Sequence, residues 1–328
     1  MWLETLKYDP IPLLIAAENI GLRFLVGRDL CGKDLASESE VWNCRFAQQI
    51  LKKQAIEGYW YFKGRKPGTE FGENYALVET WKMLRLLVGK YSFNRRHPAI
   101  QRAVEFIFSC QTAEGDIRGI LSNQYTPYYQ GVILELLVHA GYGEDERVLR
   151  GLDWLLSMRQ DDGGWIIPLS MYKMSAYYEL AQEAPILPDR QLPSSHMATG
   201  MVLRGLCVHP RYRMLPQVQR AGELLASRLF KKDTFSFRQA EEYWYKLQYP
   251  FWWTTLLSAL DCLAWLGFTR DDARIARGLE WFCTHQQPSG SWVSSYDGTD
   301  PETDSWVTLA VCRVLRKFLG QQPACDTP

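Results

Sequence analysis

Arg150-Gly151-Leu152-Asp153-Trp154-Leu155 recurs 127 residues later as Arg277-Gly278-Leu279-Glu280-Trp281-Phe282. The register continues without a gap to Gly163-Gly164-Trp165 and its counterpart Gly290-Ser291-Trp292. A long match in one fixed register indicates that the chain is built from copies of one supersecondary unit.

The same frame fits two earlier places in the chain. Gln111 and Glu114-Gly115 follow one apolar segment, and Gln54 precedes Glu57-Gly58-Tyr59-Trp60. The recurring glycines are Gly58, Gly115, Gly163 and Gly290, with spacings of 57, 48 and 127 residues. Because 127 is about two units, we expect a decayed copy near 229–237, with Lys231-Lys232-Asp233-Thr234-Phe235 as its remnant.

Each unit is predicted to contain two helices, an amphipathic one before the glycine and a more apolar one after it. The amphipathic segments are 98–111, 145–159 and 270–286. The apolar segments are 10–26, 74–89, 128–140, 196–208, 251–266 and 304–318. We therefore predict an all-α single domain, 1–328, with an inner and an outer ring of helices; an open solenoid is the alternative.

One irregular piece interrupts the repeat. Residues 166–195 contain four prolines and are predicted to form an insertion at one rim, with a short helix near 170–183. No segment has a convincing strand pattern.

The repeated corner resembles the QW repeat of the terpenoid cyclase and protein prenyltransferase superfamily, which includes the squalene–hopene cyclases. The motif reads Gln54-Ala55-Ile56-Glu57-Gly58-Tyr59-Trp60 and Gln286-Gln287-Pro288-Ser289-Gly290-Ser291-Trp292. Arg159 replaces the glutamine in one unit, and Ile117 replaces the tryptophan in another. The resemblance implies an α6/α6 toroid in which the glutamine bonds a neighbouring helix end and the tryptophan stacks near it.

Charge and composition argue against several other classes of protein. Lys and Arg total 37, as do Asp and Glu, so no basic excess is present to neutralise nucleic-acid phosphates. The apolar stretches are too short to span a bilayer, and the N-terminus has no signal-peptide pattern. The eight cysteines are scattered without a C-x-x-C, which favours a reducing, cytoplasmic location.

The resemblance also implies a candidate acid. Class II cyclases begin an inner helix with an Asp-x-Asp-Asp motif whose central aspartate protonates an alkene or epoxide. The matching place here reads Pro301-Glu302-Thr303-Asp304-Ser305-Trp306, so Asp304 takes the place of the acid and Glu302 that of the first aspartate. His196 opens another inner helix and is predicted as a proton acceptor at the cavity mouth. The structural alternative for Asp304 is a helix N-cap.

A carbocation requires aromatic faces and exclusion of water. Eight aromatic residues on or at the starts of the inner helices are predicted to line the substrate site, although aromatic residues at helical spacing also build cores. These are Tyr75, Trp81, Tyr128, Tyr129, Phe251, Trp252, Trp253 and Trp306.

No cofactor or metal is predicted. Prenyltransferases bind zinc through Asp, Cys and His, but the one D-x-C, Asp29-Leu30-Cys31, ends a helix instead of starting one. Phosphate loops and diphosphate-binding D-D-x-x-D motifs are missing from the sequence.

The function predicted from the resemblance is acid-initiated carbocation chemistry on an isoprenoid or another apolar substrate. A homodimer is a further expectation, because class II enzymes place the active site between two helical domains; peripheral contact with a membrane is another. Two alternatives stay open: a non-catalytic toroid that binds an apolar ligand or acts as a scaffold, and an α6/α6 glycoside hydrolase or lyase with paired carboxylates.

Overall fold

The computed structural model describes residues 2–61, 74–171, 179–180, 183–234, 240–296 and 302–320. In these residues the regular structure is helical, and extended pairing is limited to isolated bridges, which confirms the predicted all-α class. No helix in these ranges has both the length and the apolar character needed to cross a bilayer.

The α-helices are named in chain order. They are α1 (Ile11–Ile15), α2 (Ile20–Val26), α3 (Glu38–Asn43), α4 (Arg45–Leu51), α5 (Tyr75–Tyr91), α6 (Pro98–Ser109), α7 (Pro127–Leu137), α8 (Glu146–Ser157), α9 (His196–Val208), α10 (Pro210–Arg213), α11 (Pro216–Arg228), α12 (Leu256–Trp265), α13 (Ala273–Thr284) and α14 (Thr303–Leu319). Single π-helical turns, Gly27–Cys31 and Val138–Tyr142, continue α2 and α7. Short 3-10 helices cover Trp2–Thr5, Pro168–Met171 and Glu241–Tyr245.

Six of these helices, the inner helices, form a closed series of contacts. In this series α2 packs on α5, α5 on α7, α7 on α9, α9 on α12 and α12 on α14, and α14 returns to α2. Helices α7 and α9 approach most closely, because a Cβ added to Gly205 would lie 2.5 Å from the carbonyl oxygen of Gly131. Only glycine permits this separation of the two backbones.

The amphipathic helices lie against the inner helices. Helix α6 packs on α5, α8 on α7, α11 on both α9 and α12, and α13 on α12. In α8, Val148, Leu152 and Leu155 are buried while Glu146 and Arg150 are exposed. Each such buried aliphatic side chain contributes about 1.5–3 kcal/mol, so the inward face holds the helix in place.

The turn after each amphipathic helix depends on a glycine. The φ angles of Gly58, Gly115, Gly163 and Gly290 are 98°, 107°, 97° and 85°. An L-residue in this left-handed region costs roughly 1–2 kcal/mol. The four recurring glycines thus form the turns that follow helices ending at Leu51, Ser109, Ser157 and Thr284.

The glutamines of the repeated corner connect neighbouring units. Gln54 Nε2 donates to the carbonyl of Gly58 in its own turn (2.9 Å) and to that of Ala99 at the start of α6 (2.8 Å). Gln286 Nε2 donates to Gly290 (3.1 Å) and to Tyr8 (2.7 Å). The last corner is therefore joined to the beginning of the chain.

The tryptophans of the corner join the helix that precedes them to the inner helix that follows. Each indole N–H donates to a carbonyl at the end of the preceding helix: Trp60 to Ile50 (2.8 Å), Trp165 to Leu155 (2.7 Å) and Trp292 to Phe282 (2.9 Å). Each backbone N–H donates to a threonine hydroxyl on the following inner helix: Trp60 to Thr80, Trp165 to Thr199 and Trp292 to Thr308.

The corner after α11, where a decayed copy is expected, uses different residues. Buried Asp233 accepts the N–H groups of His196 and Met197, both at 3.1 Å, and thereby caps α9. The indole of Trp244 donates to the carbonyl of Lys231 (2.8 Å), a bond of the same kind as at the other corners. Phe235 lies outside the described residues.

Two predicted apolar helices have different bounds in the structure. Segment 10–26 is divided into α1 and α2, because the Asn19 side chain caps a new helix at Gly21 and Leu22. Segment 251–266 becomes helical only at Leu256, where Thr255 forms the N-cap. Of the short helix predicted near 170–183, residues 172–178 and 181–182 lie outside the described residues.

Candidate functional site

Residues 249–253, the central segment, run between the inner helices. Tyr249 OH donates to the carbonyl of Gly89 on α5 (2.8 Å) and accepts from Arg313 on α14 (2.9 Å). The carbonyl of Trp252 accepts from Arg204 on α9 (3.1 Å). Because no two of α5, α9 and α14 are consecutive in the closed series, this segment lies inside it.

The sequence predicted Phe251, Trp252 and Trp253 at the start of an inner helix, and this is wrong. The three residues precede α12 and belong to the non-helical central segment. Backbone carbonyls that a helix would satisfy internally therefore remain open to other donors. The arginines of the neighbouring helices supply those donors.

A cavity of about 690 Å³ lies beside the central segment. All six inner helices contribute to its wall, mostly through residues in their C-terminal halves. One lining residue from each, in order from α2 to α14, is Phe24, Val88, Leu136, Arg204, Asp261 and Ala310.

The cavity wall is more polar than the sequence led us to expect. Six cationic and four carboxylate side chains line it, together with five aromatic rings. The cations are Arg28, Arg85, Arg204, Arg313, Arg316 and Lys317, and the carboxylates are Asp29, Glu38, Glu135 and Asp261. Cations near helix C-termini are favoured by the helix dipole.

Most of these charges are paired. Arg204 Nη2 donates to Glu135 (2.5 Å), Lys317 Nζ to Asp261 (2.6 Å), and Arg313 to Asp29. Burial raises the pKa of Asp29, but Arg313 and Arg28 outweigh it and hold that pKa below its ordinary value. A carboxylate held in this way stays ionised at neutral pH.

Arg85 differs from the other cavity arginines. Its guanidinium lies 4.5 Å from the ring centre of Trp252 and 5.4 Å from that of Trp81. Its hydrogen bonds to the carbonyls of Pro250 and Phe251 are long, at 3.4 and 3.3 Å. Desolvation, aided by the positive charge of Arg204, lowers the pKa of Arg85 to about 10, so the group is still charged at neutral pH.

The π turn after α7 brings His139 into the cavity wall. Isolated π turns occur frequently at functional sites. The His139 side chain is exposed on the cavity wall, yet desolvation by the neighbouring helices lowers the pKa of His139, and the carboxylates of Glu135 and Asp261 oppose this effect. Sequence analysis assigned no functional role to His139 or to these carboxylates.

Asp304 and Glu302 lie away from this cavity, at the other end of α14. Asp304 is exposed, and its Oδ1 accepts the backbone N–H of Ser294 (2.7 Å). Glu302 accepts the N–H groups of Glu18 (2.7 Å) and Asn19 (2.9 Å) at the start of α2. Asp297, Asp300 and Pro301 lie outside the described residues.

His196 is buried at the start of α9. Its ring lies 4.5 Å from that of Trp244, and its Nε2 is 3.8 Å from Asp233, while Nδ1 has no hydrogen-bond partner in the described chain. Burial lowers the pKa of His196, Asp233 opposes this, and Arg228 adds to it. The side chain is therefore a neutral imidazole near neutral pH.

The predicted aromatic residues divide into three sets. Phe251 lines the cavity. Trp81 packs edge-on against both Tyr129 (5.1 Å) and Trp252 (4.8 Å), beside Arg85. Trp306 stacks on Tyr249 at 6.3 Å and is fully buried, while Tyr128 is buried and Tyr75 and Trp253 are half-buried.

Within the described part of the chain, no group of three or more His, Cys, Asp or Glu side chains is placed to hold a metal ion. Asp29, the residue weighed for zinc, instead forms ion pairs with Arg28 (2.6 Å) and Arg313.

Comparison with known families gives a match over about a third of the chain. Residues 76–187 match the model of the squalene-hopene cyclase C-terminal domain. The chain contains a terpenoid cyclase-like region. The match confirms the resemblance stated above. This terpenoid cyclase-like region runs from α5 past α8 and contains Arg85, Glu135 and His139, whereas Asp304 lies outside it.

Similar solved structures include two variants of the type II terpene cyclase MstE from Scytonema. One, in complex with geranylgeranyl dihydroxybenzoate, is 14% identical, with 85% of this chain and 97% of that chain covered and a TM-score of 0.34. The other, in complex with merosterolic acid A, is 15% identical, with 85% and 96% covered and a TM-score of 0.34.

A protein from Actinoplanes is also 15% identical, with 86% of this chain and 99% of that chain covered and a TM-score of 0.32. Similarity at these levels carries no conclusion about the ligand of the present chain. No curated protein matches the sequence significantly.

Proposed function

We propose that residues 1–328 form one α6/α6 toroid, with the inner helices as one ring, the amphipathic helices as the other, and an insertion at about 166–195. Two observations support this arrangement. The contacts of the inner helices return from α14 to α2, and all six inner helices line one cavity. An open solenoid would leave its first and last helices apart.

The chain is proposed to be a terpenoid cyclase-like protein that binds an isoprenoid-like small molecule in this cavity. The observation that carries the proposal is a central space of about 690 Å³ walled in part by Phe24, Phe93, Phe251 and Trp265. That volume lies within the range of small-molecule sites, roughly 300–1,000 Å³. Aromatic faces suit both an apolar chain and a developing carbocation.

Native mass spectrometry with lipid extraction of the purified protein tests this binding. We expect a co-purified isoprenoid in the wild type, and its loss in Ala310→Trp and Leu136→Trp, which fill the cavity from two sides. Val293→Trp adds the same bulk at a position that is 53% exposed and serves as control. Melting temperatures establish that the variants fold. An isoprenoid retained equally by both cavity-filled variants, or missing from the wild type, contradicts the proposal.

Asp304 is proposed as the acid that starts the reaction, with Glu302 positioning the rim through α2 and His196 as the proton acceptor. Protonation of an alkene requires that water be kept from the acid and from the cation. Since Asp304 is exposed in the single chain, this proposal includes a homodimer in which the second copy covers the rim. Peripheral membrane contact stays a prediction.

Asp304→Asn tests the acid directly. Removing a general acid lowers turnover by about 10²–10⁴-fold, and we expect that loss of isoprenoid turnover with little change in melting temperature because the side chain is exposed. Glu280→Gln, an exposed carboxylate on α13, is the control. Analytical ultracentrifugation tests the dimer. Undiminished turnover by Asp304→Asn would clear this residue of the acid role.

A second candidate function is non-catalytic ligand binding. It is favoured by one observation. The expected acid, Asp304, is exposed to solvent, while the central segment lies between the inner helices. On this hypothesis the co-purified isoprenoid is bound and recovered unchanged. Product analysis after incubation separates the two functions, since only an enzyme alters the carbon skeleton.

A further inference from the structure

We propose that Arg85 and Arg204 form a binding site for one oxyanion group, a carboxylate or a phosphate, carried by the molecule in the central cavity. Both side chains line that cavity. The inference rests on the proposed function for the apolar part of the ligand and adds the charged group at its end.

The charges around the two arginines do not balance. Arg204 is paired with Glu135, at 2.5 Å. In the described chain, Arg85 has no ion pair with a carboxylate, and its Nε is buried without a hydrogen-bond partner. An unpaired buried charge is costly, because the protein replaces only part of its hydration. One ligand anion would restore the balance of this group of three residues.

The geometry brings the two guanidinium groups to one place. The carbonyl oxygen of Phe251 accepts from both, at 3.3 Å from Arg85 Nη1 and 3.3 Å from Arg204 Nη2. The Nε of Arg204 is also buried without a partner. Guanidinium groups are planar forks that match the oxygens of carboxylates and phosphates. Two unsatisfied donors beside one cavity therefore fit an oxyanion better than a neutral carbonyl.

The presence of other cationic side chains at the cavity has a different explanation. Arg313 and Lys317 are paired with Asp29 and Asp261. Helix dipoles favour cations within the last turn of a helix, but Arg85 precedes the end of α5, at Tyr91, by more than one turn. Stacking on Trp252 and Trp81 orients the guanidinium, whose Nε has no hydrogen-bond partner among the described residues.

A matched series of ligands tests the site. The series is a C15 isoprenoid alcohol, the corresponding carboxylic acid and the corresponding monophosphate, each titrated calorimetrically into the full chain. A hydrogen bond to a charged group contributes about 10- to 100-fold in affinity. We expect the acid or the monophosphate to bind the wild type more tightly than the alcohol by at least that lower factor. Whichever of the acid and the monophosphate binds more tightly relative to the alcohol identifies the anion that the site prefers.

Arg85→Gln should lower the affinity for the acid or the monophosphate by a much larger factor than the affinity for the alcohol, and Arg85→Lys should retain part of the anion preference. Arg270→Gln, at an exposed position, is the control and should bind like the wild type. The melting temperature of ligand-free Arg85→Gln should not fall, since an unpaired charge is removed. A fall together with a retained anion preference would assign Arg85 to support of the central segment and overturn the inference.

The outcomes separate the two proposals. Equal binding of alcohol and acid by the wild type overturns the oxyanion site and leaves isoprenoid binding intact. If none of the three ligands binds, the isoprenoid proposal fails. The oxyanion site is then tested separately, by adding inorganic phosphate to the protein and measuring its melting temperature. Phosphate that raises the melting temperature of the wild type but not that of Arg85→Gln supports the site, and phosphate that affects both equally contradicts it.

Discussion

The two ends of the inner helices differ in what their polar residues do. At the N-terminal end, polar groups bond to the backbone: Thr308 accepts the N–H of Trp292, and Glu302 accepts those of Glu18 and Asn19. At the C-terminal end, Arg85, Arg204 and Arg313 project into a cavity. The first end fixes helices to their neighbours, and the second leaves donors facing open space.

The distance between the ends matters for the chemistry. Asp304 and Arg313 are nine residues apart on α14, which corresponds to about 14 Å along the helix. A ligand with its head at Arg85 and its chain in the cavity would have to extend past the central segment to approach Asp304. The comparison therefore assigns recognition of the ligand's charged group to the C-terminal end, and fixing of the helices, together with the proposed acid, to the N-terminal end; each prediction below tests one part of it.

The largest expected effect is on stability at the N-terminal end. Trp292 is 1% exposed. Its indole N–H donates to the carbonyl of Phe282, and its backbone N–H donates to the hydroxyl of Thr308. Trp292→Ala should lower the free energy of unfolding by about 3–5 kcal/mol, the usual cost of truncating a buried aromatic residue. Denaturant unfolding followed by circular dichroism measures the change.

Val293→Ala is the matched control, since the neighbouring side chain is 53% exposed and should cost less than about 0.5 kcal/mol. Similar losses in the two variants would show that the corner does not hold α13 and α14 together. The same result would remove the basis for contrasting the two ends.

The corners were predictable from the sequence because they repeat. A left-handed glycine, a glutamine and a tryptophan recur at fixed distances, so each copy strengthens the interpretation of the others. The central segment has no copy. Its apolar run, Phe251 to Leu260, is indistinguishable by composition from a buried helix. The Thr255–Ser258 capping box marks the true start of α12.

The charged cavity could have been found from a weaker signal. Helices α7, α9 and α12 are apolar nearly throughout, yet each contains one acidic residue or arginine: Glu135, Arg204 and Asp261. A lone charge in a buried helix must be paired or face a polar space. Sequence alone does not show that the three meet, because the pairing of the inner helices depends on the closed series of contacts.

A smaller effect is expected for Glu302, which separates a positioning role from a catalytic one. Its carboxylate accepts the N–H groups of Glu18 and Asn19, which directly precede α2, so Glu302→Ala should cost about 1 kcal/mol, as loss of such hydrogen bonds does. Glu280→Ala, an exposed site on α13, should be near neutral. Thermal unfolding measures both. If Glu302→Ala abolished turnover at unchanged stability, the residue would act on the substrate and not through α2.

The smallest effect concerns pH and the C-terminal end. Desolvation lowers the folded-state pKa of His139 below its ordinary 6.5. Below about pH 6.5 the unfolded chain thus binds a proton that the folded chain does not, and stability falls as the pH falls. His139→Gln removes this contribution, so its stability should decline less steeply from pH 6.5 to pH 5, and the difference should be small because the His139 side chain is exposed to solvent.

Denaturant titrations at several pH values measure these slopes. The decline should persist in part, because burial also lowers the pKa of His97 and of His196. His285→Gln, at an exposed position after α13, should follow the wild type. Parallel curves for His139→Gln and the wild type would mean that His139 is as well hydrated in the folded protein as in the unfolded chain. That result would contradict the lowered pKa of His139.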